Sequence, residues 1–115
     1  MKTQAVNHLA LKAHSVEKLG SFYVDVLGLS ETRRIHDGEG LRAIWLKLDP
    51  LILMIERTES AIVAKIDRPA AFDFDAPGIH LLALTIDENE KDEWRQRLLE
   101  SGTRIEKESE FTIYF

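Results

Sequence analysis

The 115-residue chain is 44% hydrophobic and 30% charged, carries a formal net charge of −5 and contains no cysteine. Those figures describe one globular domain and exclude disulfides, thiolate metal sites and cysteine nucleophiles together. Its scattered Lys and Arg do not form the basic face that nucleic-acid phosphates demand, and no apolar run approaches the roughly 20 residues of a membrane span.

The start, Met1 to Ala5, passes into an alternating pattern rather than an apolar signal core, which points to the cytoplasm. Over residues 6–12, Asn7, Leu9 and Leu11 share one strand face and Val6, His8, Ala10 and Lys12 the other. A helix is predicted next, with Ser15 as N-cap and Glu17 in its first turn. Val16, Leu19, Phe22, Tyr23, Val26 and Leu27 recur at helical spacing, and Gly28 suits the left-handed position after the last turn. Residues 30–36, 41–48 and 51–56 read as strands, with Asp37-Gly38-Glu39-Gly40 as a turn. On the second of these, Ala43 and Trp45 share a face, with Trp45 as core or cleft wall. Arg42 and Lys47 are assigned to the opposite, solvated face.

Residues 57–77 have no clear period, although Ile62, Val63, Phe72 and Phe74 suggest a segment that packs down. The strand pattern restarts over residues 79–86. Asp87 and Glu90 then make a capping-box-like helix start, Trp94, Leu98 and Leu99 an apolar stripe, and Gly102 an end. Residues 104–108 and 110–115 read as two further strands.

His8-Leu9-Ala10-Leu11 matches His80-Leu81-Leu82-Ala83-Leu84, and each is followed by a helix, a helix-ending glycine and more strands. This is a repeat of a whole supersecondary unit. Equivalent strands in two pseudo-symmetric halves bring their inward side chains toward a common axis. Two imidazoles there, with a carboxylate, make the 2-His-1-carboxylate face that leaves metal positions open to substrate oxygens. For either histidine alone, a hydrogen-bonded strand residue is the ordinary reading. His14 and His36 fall in a loop and near a turn and read as surface residues.

The segments 6–11, 21–29 (with Phe22-Tyr23 and Leu27-Gly28), 78–80 and 111–115 together resemble the vicinal oxygen chelate superfamily, which includes glyoxalase I, extradiol dioxygenases, thiol transferases and bleomycin resistance proteins. The resemblance implies an α+β fold of paired βαβββ modules forming a single domain over residues 1–115. Module one would span about 5–57, a connecting loop about 58–77, and an incomplete module two about 78–115, with its last strand missing. It implies a divalent ion (Fe, Mn, Zn or Ni) held by His8, His80 and a carboxylate, and a small-molecule substrate. It further implies a homodimer with sites shared between subunits. Met54 aligns with the position where glyoxalase I supplies a glutamate; a thioether is a poor ligand for hard ions. That departure points toward three-ligand members. Glu56 is an alternative ligand if the register slips, and Tyr114, Trp45 and Met54 are candidate substrate contacts. The rival expectation is a metal-free drug-binding protein of the bleomycin-resistance type.

Overall fold

A computed structural model describes residues 1–59 and 82–115. The chain divides into two compact units, Met1–Ser60 and Ala61–Phe115. In the first unit, β1 (His8–Ala13) leads into α1 (Val16–Ser21), whose last turn widens into a π-helical segment over Phe22–Val26. Strands β2 (Ser30–Asp37), β3 (Gly40–Leu48) and β4 (Leu51–Arg57) follow. They make one four-stranded sheet in the order β1-β4-β3-β2, with β1 parallel to β4 and the other pairs antiparallel. This is the expected βαβββ module.

Local signals account for its boundaries. The hydroxyl of Ser15 accepts the backbone N–H of Lys18 at 3.1 Å, meeting one of the donors that a helix start leaves unpaired. Gly28 takes a φ of 77°, the left-handed conformation predicted for it. The hairpin between β2 and β3 turns where Asp37 Oδ1 accepts the N–H of Glu39 at 2.9 Å. Arg57, at the far end of β4, donates to both oxygens of Asp37 and to the carbonyl of Leu41.

One face of the sheet is covered by the helix. Val16 packs there with Ile44, Leu46, Leu53 and Ile55, each 3% exposed or less, and Leu19, Tyr23 and Val24 close the edge. Burying side chains of this kind contributes about 1.5–3 kcal/mol each. The approach is close: a Cβ placed on Gly20 would lie 2.7 Å from Ile44 Cδ1.

The second unit has a 3-10 turn over Glu88–Glu90, α2 (Lys91–Glu100), and the short antiparallel strands β5 (Lys107–Glu108) and β6 (Ile113–Tyr114). Asp87 caps the helix start by accepting the N–H of Asn89 at 3.0 Å, and Gly102 ends the helix at a φ of 79°. Lys91 and Arg95 both grip the carboxylate of Glu108, which ties α2 to β5. Arg95 above all, then Lys91, lowers the pKa of that carboxyl to about 2.

Three expectations need correction here. Residues 82–86 hold no strand, although they alternate, because an apolar face becomes a strand only when a neighbour completes its ladder. The last two strands are two residues each rather than five or six. Leu99, expected in the apolar stripe of α2, is 51% exposed, and Leu98 carries the burial alone at 2%. Residues 60–77 of the expected connecting loop and the His80 end of the expected strand lie outside the described residues.

Candidate functional site

The face of the first unit's sheet away from α1 gathers four of the residues singled out above. Strand register places them in rows. His8 stands beside Ile52, which in turn faces Lys47; Ala10 stands beside Met54, which faces Trp45, which faces Arg33. Lys12 stands beside Glu56, which faces Ala43. Residues directly opposite one another on neighbouring strands project to the same side. His8, Met54, Trp45 and Glu56 therefore share one surface, as the alternation of exposed and half-buried residues along β1 requires. Lys47 belongs to this surface too. It lies two residues from Trp45, so the sequence reading that set it on the opposite face is corrected.

His8 is exposed, and its Nδ1 lies 2.9 Å from Oδ1 of Asn7. An amide oxygen only accepts, so Nδ1 carries the proton and Nε2 presents its lone pair. Metal-bound histidines are oriented in this way, with the second ring nitrogen donating to a fixed oxygen. The donor chemistry of His8 thus fits a divalent ion. Met54 is one row away, about 7 Å along the strands. Glu56 is two rows away, about 13 Å along, which sets it beyond an ion bound to His8. Its Oε2 lies 3.3 Å from Lys12 Nζ instead. Among the described residues no three His, Asp or Glu side chains converge as a metal group. His80 lies outside the described residues.

Trp45 is half-buried. Arg33 lies over its ring with Cζ 4.8 Å from the centroid, and its indole N–H is enclosed without an acceptor among the described residues. Sequence reasoning missed Arg33. Two irregularities in β2, between Glu31 and Arg33 and between Ile35 and His36, break the period-2 pattern that would have displayed it. Tyr114 is in the second unit, half-buried in β6 opposite Lys107. His14 and His36 are exposed, as expected.

Residues 5–112 match the family model described as Glyoxalase/Bleomycin resistance protein/Dioxygenase superfamily. The chain belongs to the glyoxalase/bleomycin resistance/dioxygenase superfamily. Solved structures show the same fold. Lactoylglutathione lyase from Agrobacterium tumefaciens is 21% identical, with a TM-score of 0.62 over 93% of this chain and 77% of that one. The protein SMU.1112c is 27% identical, with a TM-score of 0.66 over 92% of this chain and 80% of its own. A variant of the fosfomycin resistance protein FosX from Listeria monocytogenes, complexed with Mn(II) and a dihydroxypropylphosphonic acid, is 16% identical, with a TM-score of 0.69 over 94% and 77%. No curated protein sequence matches. Superfamily membership makes the βαβββ module a shared architecture, and a shared fold does not fix the chemistry carried on it.

Proposed function

We propose that this protein is a cytoplasmic, metal-dependent enzyme of the glyoxalase/dioxygenase superfamily that acts on a small molecule through a divalent ion. His8 and His80 are its imidazole ligands and a carboxylate completes the set. The observation that carries this reading is the Asn7 contact, whose amide oxygen can take the Nδ1 proton of His8 and leave Nε2 to ligate. The Mn(II) complex of FosX supports the same chemistry on this fold. Such an ion, when bound, supplies a Lewis acid for negative charge that develops on substrate oxygens. This chain's residues do the rest: Asn7 orients His8, while Ile52, Met54 and Trp45 form the floor on which substrate lies. Tyr114 is a candidate hydrogen-bonding partner for it. The carboxylate is a residue other than Glu56, which stands too far along the strand.

The working form is a homodimer whose sites are shared between subunits. Metal analysis of the purified protein tests the reading, with His8→Ala and His80→Ala beside it. Bound first-row metal at about one ion per site, lost in both variants, supports it. A strictly monomeric species with a full complement of metal removes the shared site.

A second reading, a metal-free small-molecule binder of the bleomycin-resistance type, is favoured by Met54 and by the engagement of Glu56 with Lys12. It predicts no metal above background and unchanged stability in both histidine variants.

A further inference from the structure

The sheet face that carries His8 has a charge opposite to that of the chain. Against a net charge of −5, its described residues hold the cations Lys12, Lys47 and Arg33 against the carboxylate of Glu56, with that of Asp49 at its edge. Lys12 is engaged by Glu56, and Lys47 lies 3.4 Å from Asp49. Arg33 differs from the other well-anchored arginines. Arg34 is held by Glu31 and Glu17, Arg57 by Asp37, and Arg95 by Glu108 and Asp92. Arg33 has no carboxylate partner among the described residues and rests on Trp45 alone.

The backbone puts it there. At the irregularity between Glu31 and Arg33, Thr32 Oγ1 donates to the Trp45 carbonyl at 3.2 Å. The shift turns Glu31 toward Arg34 on the helix side and leaves Arg33 directly opposite Trp45. Bulges of this kind re-aim side chains, and an uninterrupted strand would put Glu31 and Arg33 on one face. A guanidinium resting on an indole stays charged and keeps its N–H edges available, in a fork that matches carboxylate or phosphonate oxygens. On the far side of Trp45, on β4, lie the apolar Met54 and Ile52, so the surface offers a charged corner at the end of an apolar row.

We infer that Arg33, aimed by the β2 bulge and held over Trp45, is an anion-binding residue, and that the small molecule taken by this face is an organic carboxylate or phosphonate with an apolar body. The inference rests on the proposed function only in taking this face as the binding face.

The test is an NMR titration of isotopically labelled full-length protein, as purified, with phenylphosphonate, phenylacetate and the neutral benzyl alcohol. Both anions should move the Trp45 indole resonance and the amides of residues 32–34, with affinity about tenfold or more above that of benzyl alcohol. The preferred anion identifies the head group. Arg33→Met, which keeps an apolar cover on the indole, should abolish the discrimination; Arg33→Lys should keep part of it and stands in should the methionine variant not fold. Metal content is measured on the same samples. Discrimination lost in Arg33→Met with metal content unchanged supports both readings; the same loss in a protein that binds no metal keeps this inference and removes the metal enzyme. Discrimination that survives both Arg33 variants but disappears in His8→Ala assigns the anion to an ion on His8 and overturns the inference. Absence of any response to either anion overturns it as well.

Discussion

His8 donates its Nδ1 proton to Oδ1 of Asn7, one residue before it, across 2.9 Å. If His8 is a ligand, Asn7 is its orienting partner. Asn7→Ala should then weaken metal binding by about 10- to 100-fold, while Asn7→Asp, which keeps an acceptor, should largely retain it. Competition against a chromophoric chelator measures both, and equal affinities for all three proteins would detach Asn7 from the site.

Met54 stands one row from His8, near enough for both side chains to reach one ion, whereas Glu56 does not. Replacing the thioether by a carboxylate supplies a harder ligand for the same ion. Met54→Glu is therefore expected to raise affinity for Zn or Ni, by at least about tenfold for one added charged ligand. Calorimetric titration reads the change directly; a variant that binds no more tightly would show that the ion does not sit between these rows.

Gly20 faces the tip of Ile44 so closely that an alanine Cβ would come within 2.7 Å of Cδ1. Two effects oppose each other in Gly20→Ala. Helix propensity favours alanine by about 1 kcal/mol, and overpacking a tight core costs about 1–3 kcal/mol. Ile44 is 1% exposed and has little room to yield, so overpacking should win and the net loss should be about 1 kcal/mol. With Ile44→Val, which removes Cδ1, the same substitution should become neutral or stabilising. Urea denaturation of the four proteins closes the cycle. Purely additive effects would contradict the contact.

Glu108 loses its proton far more readily in the folded chain, at about 2, than its ordinary value of 4.5. A carboxyl with a depressed folded pKa stabilises fully above its unfolded pKa. That contribution drains away as pH falls from 4.5 toward about 2. The tie between α2 and β5 should loosen over this window, and Glu108→Gln should remove that part of the pH dependence. Urea midpoints followed through the Trp94 indole signal as pH is lowered measure it; identical slopes for the two proteins would refute the linkage.

Much of the first module was legible because its signals are local. The alternation around His8, the hydroxyl cap at Ser15, the Asp37–Gly40 turn and the left-handed Gly28 each depend on a few adjacent residues, and each is where the pattern put it. Arg33 was not legible, because a bulge shifts the phase of β2 and only the partner strand reveals it. Lys47 was misassigned although its spacing from Trp45 already placed it on the same face. Residues 82–86 show the converse limit: their alternation is plain, yet Leu82 and Ile86 are each 38% exposed and no strand forms there. Alternation specifies which side chains face together, and pairing decides whether a ladder exists.

The parallel pairing of β1 with β4 has a consequence for how the module assembles. Strands β2, β3 and β4 follow one another through short turns, whereas β1 must wait for the helix and the whole meander before its neighbour exists. Long-range pairing of this kind forms late, and a strand with one neighbour in its unit is the cheapest to release. Amides of β1 should accordingly exchange faster than those of β3. An ion captured by His8 would favour the closed form by mass action, by about 2.7 kcal/mol at a hundredfold excess over its dissociation constant. The strand that brings the imidazole is the one whose closure finishes the module, so occupancy of His8 would act as a latch on assembly.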